Sequence, residues 1–266
     1  FEDLMGQEIM VQNLKNAFKT NRIAHAYILT GVRGIGKTTT ARLLARSLNY
    51  ETETINEPNI DMLELGKHCL EIMESRHIDV IEMDAASRTG IADIREIIDS
   101  VNYSPSSARY KIYIIDEVLM LSKAAFNGLL KTLEEPPPHV KFIFATTEVQ
   151  KIPLTILSRC QRFDLKRFDH DMIKLLINKV CEKEMVSIED PIIDLIAKAS
   201  GGSARDSLSL LDQAMALSND GNISEEKIRQ MLGLSDQSRI IDLYEFISNT
   251  EIEKALLEVK DQVDIG

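Results

Sequence analysis

The chain has 266 residues, enough to bury one large core or two smaller ones. With 44% hydrophobic and 27% charged residues and only 12 Gly and 7 Pro, it is neither a disordered nor a fibrous protein. A net charge of −11 excludes the coating of nucleic acid by bulk electrostatics, which relies on clustered Lys and Arg, so any nucleic-acid contact must be local.

There is no Trp and only 5% of residues are aromatic, so backbone contacts are expected in place of base stacking. No run approaches the ~20 apolar residues that a membrane span needs. Cys69, Cys160 and Cys181 are too few and too scattered for a disulfide framework or a paired zinc spacing, so a reducing, cytoplasmic setting is expected. Phe1-Glu2-Asp3-Leu4 lacks a signal-peptide pattern, and the missing initiator Met points to a trimmed chain with flanking regions removed.

Residues 9–18 carry apolar side chains at helical spacing (Leu14, Ala17, Phe18). The period then changes. Ala26-Tyr27-Ile28-Leu29 reads as a strand stopped by Gly31, and Ala41, Leu44, Ala45 and Leu48 return to a helix. The same order recurs in Val80 to Met83 followed by Ile91 to Val101, then Ile112 to Ile115 followed by a helical stretch ending near Leu133, then Phe142 to Ala145. Such alternation predicts an α/β fold, a parallel sheet with helices on both faces. Glu134-Glu135-Pro136-Pro137-Pro138 is a local helix breaker. After Arg167 only helical spacing remains, and Leu208, Leu211 and Met215 are expected in the core of a small helical domain. Ser224-Glu225-Glu226 opens a further helical stretch that stops at Gly266 without a cap, as a truncated piece would.

Gly31-Val32-Arg33-Gly34-Ile35-Gly36-Lys37-Thr38 matches the G-x-x-x-x-G-K-[ST] spacing between a predicted strand and a predicted helix. The glycines let backbone N–H groups converge on an anion at a helix N-terminus, Lys37 reaches the outer phosphates and Thr38 can ligate Mg²⁺. Ile112-Tyr113-Ile114-Ile115-Asp116-Glu117 ends an apolar strand in two acids at the sheet edge where such ligands bind. There Asp116 can hold Mg²⁺ directly or through water, and Glu117 can polarise the attacking water. Thr146 and Thr147 end another strand, where a hydroxyl orients the water or senses the terminal phosphate. Arg159 and Arg205 each follow a loop; arginine stabilises charge on a transferring phosphoryl group, although position alone decides little.

The phosphate loop, Asp116-Glu117, the run from Ala145 to Pro153, Leu157-Ser158-Arg159-Cys160 and Gly202 to Ser209 resemble, in order and spacing, the gamma/tau subunits of bacterial DNA polymerase III. Gly6-Gln7-Glu8 and Arg22 to Tyr27 extend the resemblance over essentially the whole chain. It implies an AAA+ ATPase that is the motor of the sliding-clamp loader on primed DNA, within the DNA-directed DNA polymerase III holoenzyme. Implied partners are the delta and delta-prime subunits, the beta clamp and further copies joined through a helical collar. By the resemblance, Gly31, Gly34, Gly36, Lys37, Thr38 and Thr39 hold the nucleotide, and Asp116 and Glu117 are the Walker B pair. Thr147, with Thr146 beside it, is sensor 1 and Arg205 the sensor 2 arginine of the lid. Arg159 is the arginine finger, which acts on ATP held by the neighbouring subunit. The implied division is a nucleotide-binding domain over residues 1–168, a lid over 169–218 and part of the collar over 219–266.

Two departures from the family are visible. Of its four zinc cysteines only Cys69 is matched, with Tyr50, Leu63 and Gly66 at the other positions, so no zinc is expected and His68 and His77 are read as surface residues. The family's His in the run after Glu117 is Leu119 here. Arg88, Thr89 and Lys131 match the region that tracks DNA phosphates, with Gly90 where a basic residue is often found. Two other readings stand beside the motor: a non-catalytic scaffold of the delta-prime kind, against which Lys37, Thr38 and Glu117 speak, and a different AAA+ machine.

Overall fold

Continuous apolar runs followed by period-3.6 stripes leave each strand needing cover on both faces, which a parallel sheet between two helix layers supplies. The structure, a computed structural model, describes residues 4–87, 91–217, 225–233 and 235–265. It divides into two units, Phe1–Phe168 and Asp169–Gly266.

In chain order the first unit contains α1 (Glu8–Lys19), β1 (Ala26–Thr30), α2 (Lys37–Leu48), α3 (Cys69–Met73), β2 (Val80–Asp84), α4 (Ile91–Val101) and β3 (Lys111–Asp116). After it come α5 (Lys123–Glu134), β4 (Val140–Thr146), the single turn α6 (Leu154–Leu157) and β5 (Gln161–Asp164). The strands form one sheet in the order β2-β3-β4-β1-β5, and every pairing is parallel. Because β1 lies between β4 and β5 while the chain leaves it toward β2, its C-terminal end is the switch point where such sheets open a crevice. Thr30 pairs with Thr146 and Asp164 there, and Asp84 with Asp116.

Alternate side chains sort into two cores. Ile28, Met83, Tyr113, Ile115, Phe142 and Phe144 meet Ile94 and Ile97 of α4 and Phe126, Leu129 and Leu133 of α5. On the other face Tyr27, Leu29, Ile112, Ile114 and Ile143 meet Leu14 of α1 and Ala41, Leu44 and Leu48 of α2. The Tyr113, Phe142 and Phe144 rings stack at 5.4 and 5.8 Å between successive centroids. Two elements are absent from the periodicity. In β5 only Phe163 of four residues is buried, which leaves no alternation to read, and α3 is too short to show a stripe.

Between α2 and β2 the chain folds back on itself, which corrects the reading of His68 and His77 as surface residues: they are 5% and 4% exposed. The Asp79 N–H donates to His77 Nδ1 (3.0 Å), which assigns the His77 proton to Nε2 and makes it the donor to His68 Nδ1 (2.9 Å). The Glu51 carboxylate lies 3.4 Å from His68 Nε2. Desolvation, with His68 alongside, lowers the His77 pKa. The Tyr50 ring is buried over Gly66, where a Cβ would lie 2.8 Å from the Glu51 carbonyl oxygen and 3.0 Å from the ring. Burial would raise the Asp79 pKa, but the N–H groups of Ser106, Ser107 and Ala108, at 2.7, 2.7 and 2.9 Å, outweigh it and hold the carboxylate ionised.

The second unit is helical: α7 (His170–Glu184), α8 (Asp190–Ala199), α9 (Ala204–Ala216), α10 (Glu225–Met231), α11 (Ser235–Ser248) and α12 (Ile252–Ile265). Asp169 caps α7 by accepting from the Met172 N–H at 2.8 Å, and Ser203 caps α9. Ile173, Ile177, Ile192, Ile193 and Ile196 are buried, and α10 packs on α8. In α9 the buried stripe is Ser207, Leu211 and Ala214. Of the three apolar residues expected there, only Leu211 is in the core. Leu208 is 37% exposed because the small side chains of Ser207 and Ala214 set the face that approaches closely. α11 and α12 pack on each other and expose Ile240, Ile241, Tyr244, Ile247, Leu256 and Leu257.

Phe142→Ala, which empties the centre of the stacked trio, is expected to cost about 3–5 kcal/mol in urea unfolding. Because the folded state holds His77 neutral while the unfolded chain protonates it near pH 6.5, stability should fall as pH drops through that value. Melting temperatures between pH 7.5 and 5.5 should decline more gently in His77→Gln; equal slopes would remove His77 as the cause.

Candidate functional site

The loop after β1 turns back over the sheet edge through glycines in conformations that side chains resist. Gly31, Gly34 and Gly36 have φ of 151°, 81° and 89°, and a Cβ at Gly31 would lie 2.2 Å from Ile35 Cδ1 and 3.1 Å from the Leu165 carbonyl oxygen. Gly36 in the left-handed region starts α2, so the helix N-terminus and its free N–H groups face the loop.

Lys37 is 6% exposed, and its ammonium donates to the carbonyl oxygens of Gly31 (3.0 Å) and Val32 (3.1 Å). Desolvation lowers its pKa, while Glu117 and Asp116 act to raise it. Glu117 Oε1 is 3.9 Å from the ammonium. The Thr38 hydroxyl donates to Asp116 Oδ2, and Asp116 Oδ1 accepts from the Glu117 N–H at 2.8 Å. Glu117 itself has φ 45°, rare for a side-chain-bearing residue and costing about 1 kcal/mol. Its carboxylate is held at Oε2 by the Thr147 hydroxyl (3.2 Å). Thr146 is fully buried and accepts from the Glu148 N–H at 3.2 Å. Thr39 lies exposed on the first turn of α2.

The strand ends thus bring Lys37, Thr38, Asp116, Glu117 and Thr147 together. Thr30 also donates to Asp164 Oδ1 (2.6 Å) at the same edge, a pair that only the β1–β5 register reveals. The donor set fits a nucleotide with its metal. A buried ammonium has only loop carbonyls and nearby carboxylates as partners, glycines leave the loop without side-chain bulk, and Thr38 with Asp116 offers the hard oxygens that Mg²⁺ takes. Among the described residues, no group of three or more His, Cys, Asp and Glu could hold a metal ion by itself.

Other expected site residues lie elsewhere. Arg159 follows α6, and its hydrogen bonds go to Glu134 Oε1, the Thr155 carbonyl oxygen and Ser158 Oγ, none of them in the phosphate loop. Arg205 is exposed on the first turn of α9 in the second unit. Lys131 is exposed on α5. Arg88, Thr89 and Gly90 lie outside the described residues. Leu119 falls in the 3₁₀ turn Val118–Met120, packed against the core beneath the site. Glu134, readable in sequence only as part of a helix breaker, proves to be the carboxylate partner of Arg159.

Comparison with known proteins gives matches along the whole chain. Residues 6–169 match the family model described as DNA polymerase III, delta subunit. Residues 172–220 match the DNA polymerase III clamp loader subunit, ATPase lid domain, and residues 223–266 match DNA polymerase III subunits gamma and tau domain III. The chain is 44% identical over its full length to DNA polymerase III subunit tau of Escherichia coli K12, of which it covers 41%. It is 49% identical over 83% of its length to the tau subunit of Bacillus subtilis 168, covering 38%. It is 42% identical over its full length to the gamma subunit of Buchnera aphidicola subsp. Acyrthosiphon pisum, covering 72%. It therefore spans about two fifths of the tau relatives. Among solved structures, the Thermotoga maritima RuvB Holliday junction branch migration motor has a TM-score of 0.63 at 19% identity, over 88% of this chain and 71% of that one, and shares the fold. Among the described residues, no helix is long and apolar enough to cross a membrane. Motifs, site geometry and matches along the whole chain converge: the chain belongs to the gamma/tau subunit family of DNA polymerase III.

Proposed function

We propose that this chain binds and hydrolyses ATP as the motor of a clamp loader, working with delta and delta-prime subunits to place the beta clamp on primed DNA. The observation that carries the reading is the cluster in which Thr38 bonds Asp116 while Glu117, 3.9 Å from the Lys37 ammonium, is held by Thr147. A bound triphosphate gives Lys37 anionic partners in place of the loop carbonyls, and the N-terminus of α2 with the loop N–H groups takes up the rest of the charge. Thr38 and Asp116 would hold Mg²⁺, which neutralises phosphate charge. Glu117 orients and polarises the attacking water, and Thr147 fixes that carboxylate.

The same reading gives Arg205 the task of sensing nucleotide in its own subunit and Arg159 that of stabilising charge on ATP held by the next. It assigns residues 169–218 to a lid and 219–266 to part of a collar, where the exposed apolar residues of α11 and α12 suit contact with further subunits. Arg88, Thr89 and Lys131 would follow DNA phosphates. No zinc is invoked: Cys69 is the one thiol in segment 49–79, which has the packed Tyr50 ring at one of the family's ligand positions. A chelator should leave its melting temperature unchanged, and a drop of several degrees with one equivalent of zinc released would refute this.

In the assembled complex, Glu117→Gln should retain ATP binding and lower turnover at least ~100-fold, the scale of a lost general base. Lys37→Ala should lose binding itself. Wild-type turnover in Glu117→Gln would remove Glu117 as the group that polarises the water, and no turnover in the parent would leave a scaffold that uses nucleotide only to hold subunits together.

A further inference from the structure

Arg159 has more holding it than an exposed arginine needs. Its backbone is pinned on both sides, because Leu157 and Cys160 pack against the core cluster that contains Leu133 and Ile156. Burial raises the Cys160 thiol pKa to about 12, so that group is a packing wedge and not a nucleophile. The guanidinium is fixed as well. Nη1 donates to the Thr155 carbonyl oxygen (2.6 Å) and to Ser158 Oγ (3.3 Å), and Nη2 donates to Glu134 Oε1 (2.6 Å). Of the five N–H donors a guanidinium carries, these bonds leave the Nε–H and one Nη2–H.

The pair is half in water, with side chains 32% and 51% exposed for Arg159 and Glu134. Ion pairs so placed add little to stability. What this one does is set an orientation: a long flexible side chain is held at its head by one carboxylate and one carbonyl, with two donors left over. Glu134 is also the last residue of α5, whose N-cap Ser122 follows the turn after Glu117. One helix of 12 residues, about 18 Å long, therefore joins the carboxylate of the subunit's own nucleotide site to the carboxylate that holds Arg159.

We propose that Glu134 is a positioning residue for Arg159, holding the guanidinium so that its two remaining donors meet an anionic phosphoryl group presented by an adjacent subunit. This rests on the reading of Arg159 as a residue that acts in trans. Without the Glu134 carboxylate the guanidinium samples other rotamers, and the loss appears in the neighbour's turnover and not in nucleotide binding by the altered chain.

The test uses the full-length subunit assembled with its clamp-loader partners. Glu134→Gln should lower ATP turnover about tenfold, a fraction of the ~1,000-fold or greater effect of losing such an arginine. Binding of a fluorescent ATP analogue to the altered chain should be unchanged, and Glu134→Asp should recover most of the rate. Arg159→Ala with Glu134→Gln should be no slower than Arg159→Ala alone. Unchanged turnover in Glu134→Gln, or the same tenfold loss persisting without Arg159, would overturn the positioning role. If Arg159→Ala by itself leaves turnover intact, the trans reading falls and the proposal falls with it.

Discussion

A buried ammonium facing two carboxylates organises this molecule. Lys37 cannot sit at 6% exposure without anionic or carbonyl partners, because desolvating an unpaired charge costs several kcal/mol. Asp116 and Glu117 come from the end of a strand two places away in the sheet, and the loop carbonyls of Gly31 and Val32 come from the turn that Lys37 itself closes. The charge balance therefore exists only if β1, β4 and β3 are paired in the observed register. In turn, the parallel sheet has a polar edge only because these strand ends carry hydroxyls and acids after apolar runs.

That edge stores its tension in one residue. Glu117 adopts a left-handed backbone angle between β3 and a 3₁₀ turn, and Thr147 from the end of β4 restrains its carboxylate. A strained residue persists where its surroundings over-determine it, and here the strand β3 on one side and the Leu119-containing turn on the other do so. Leu119 puts an apolar side chain against the core under the same turn. The turn thus keeps its packing.

Segment 49–79 shows how a small module is stabilised by burial and hydrogen bonds. The chain of donors from the Asp79 N–H through His77 to His68, the Tyr50 ring over Gly66, and Asp79 bound by three successive N–H groups tie the segment to the 106–108 loop. Each of these contacts couples residues with no periodic relation in sequence. His68 and His77 read as surface polar residues for that reason, and only the fold-back of the chain buries them.

The sequence by itself determined the α/β class, the alternation of β1 to β4 with helices, and the glycine-rich loop and strand-end acids Asp116 and Glu117. These are written in local signals: the period of apolar residues, glycines at turns, and Lys and Thr at fixed offsets from them. The tertiary structure alone decided β5, where one buried residue gives no period, the rotation of α9 that turns Leu208 outward, and the pairing of Arg159 with Glu134. Those depend on which surfaces meet after the chain has crossed the sheet, and long-range packing has no local sequence signature to announce it.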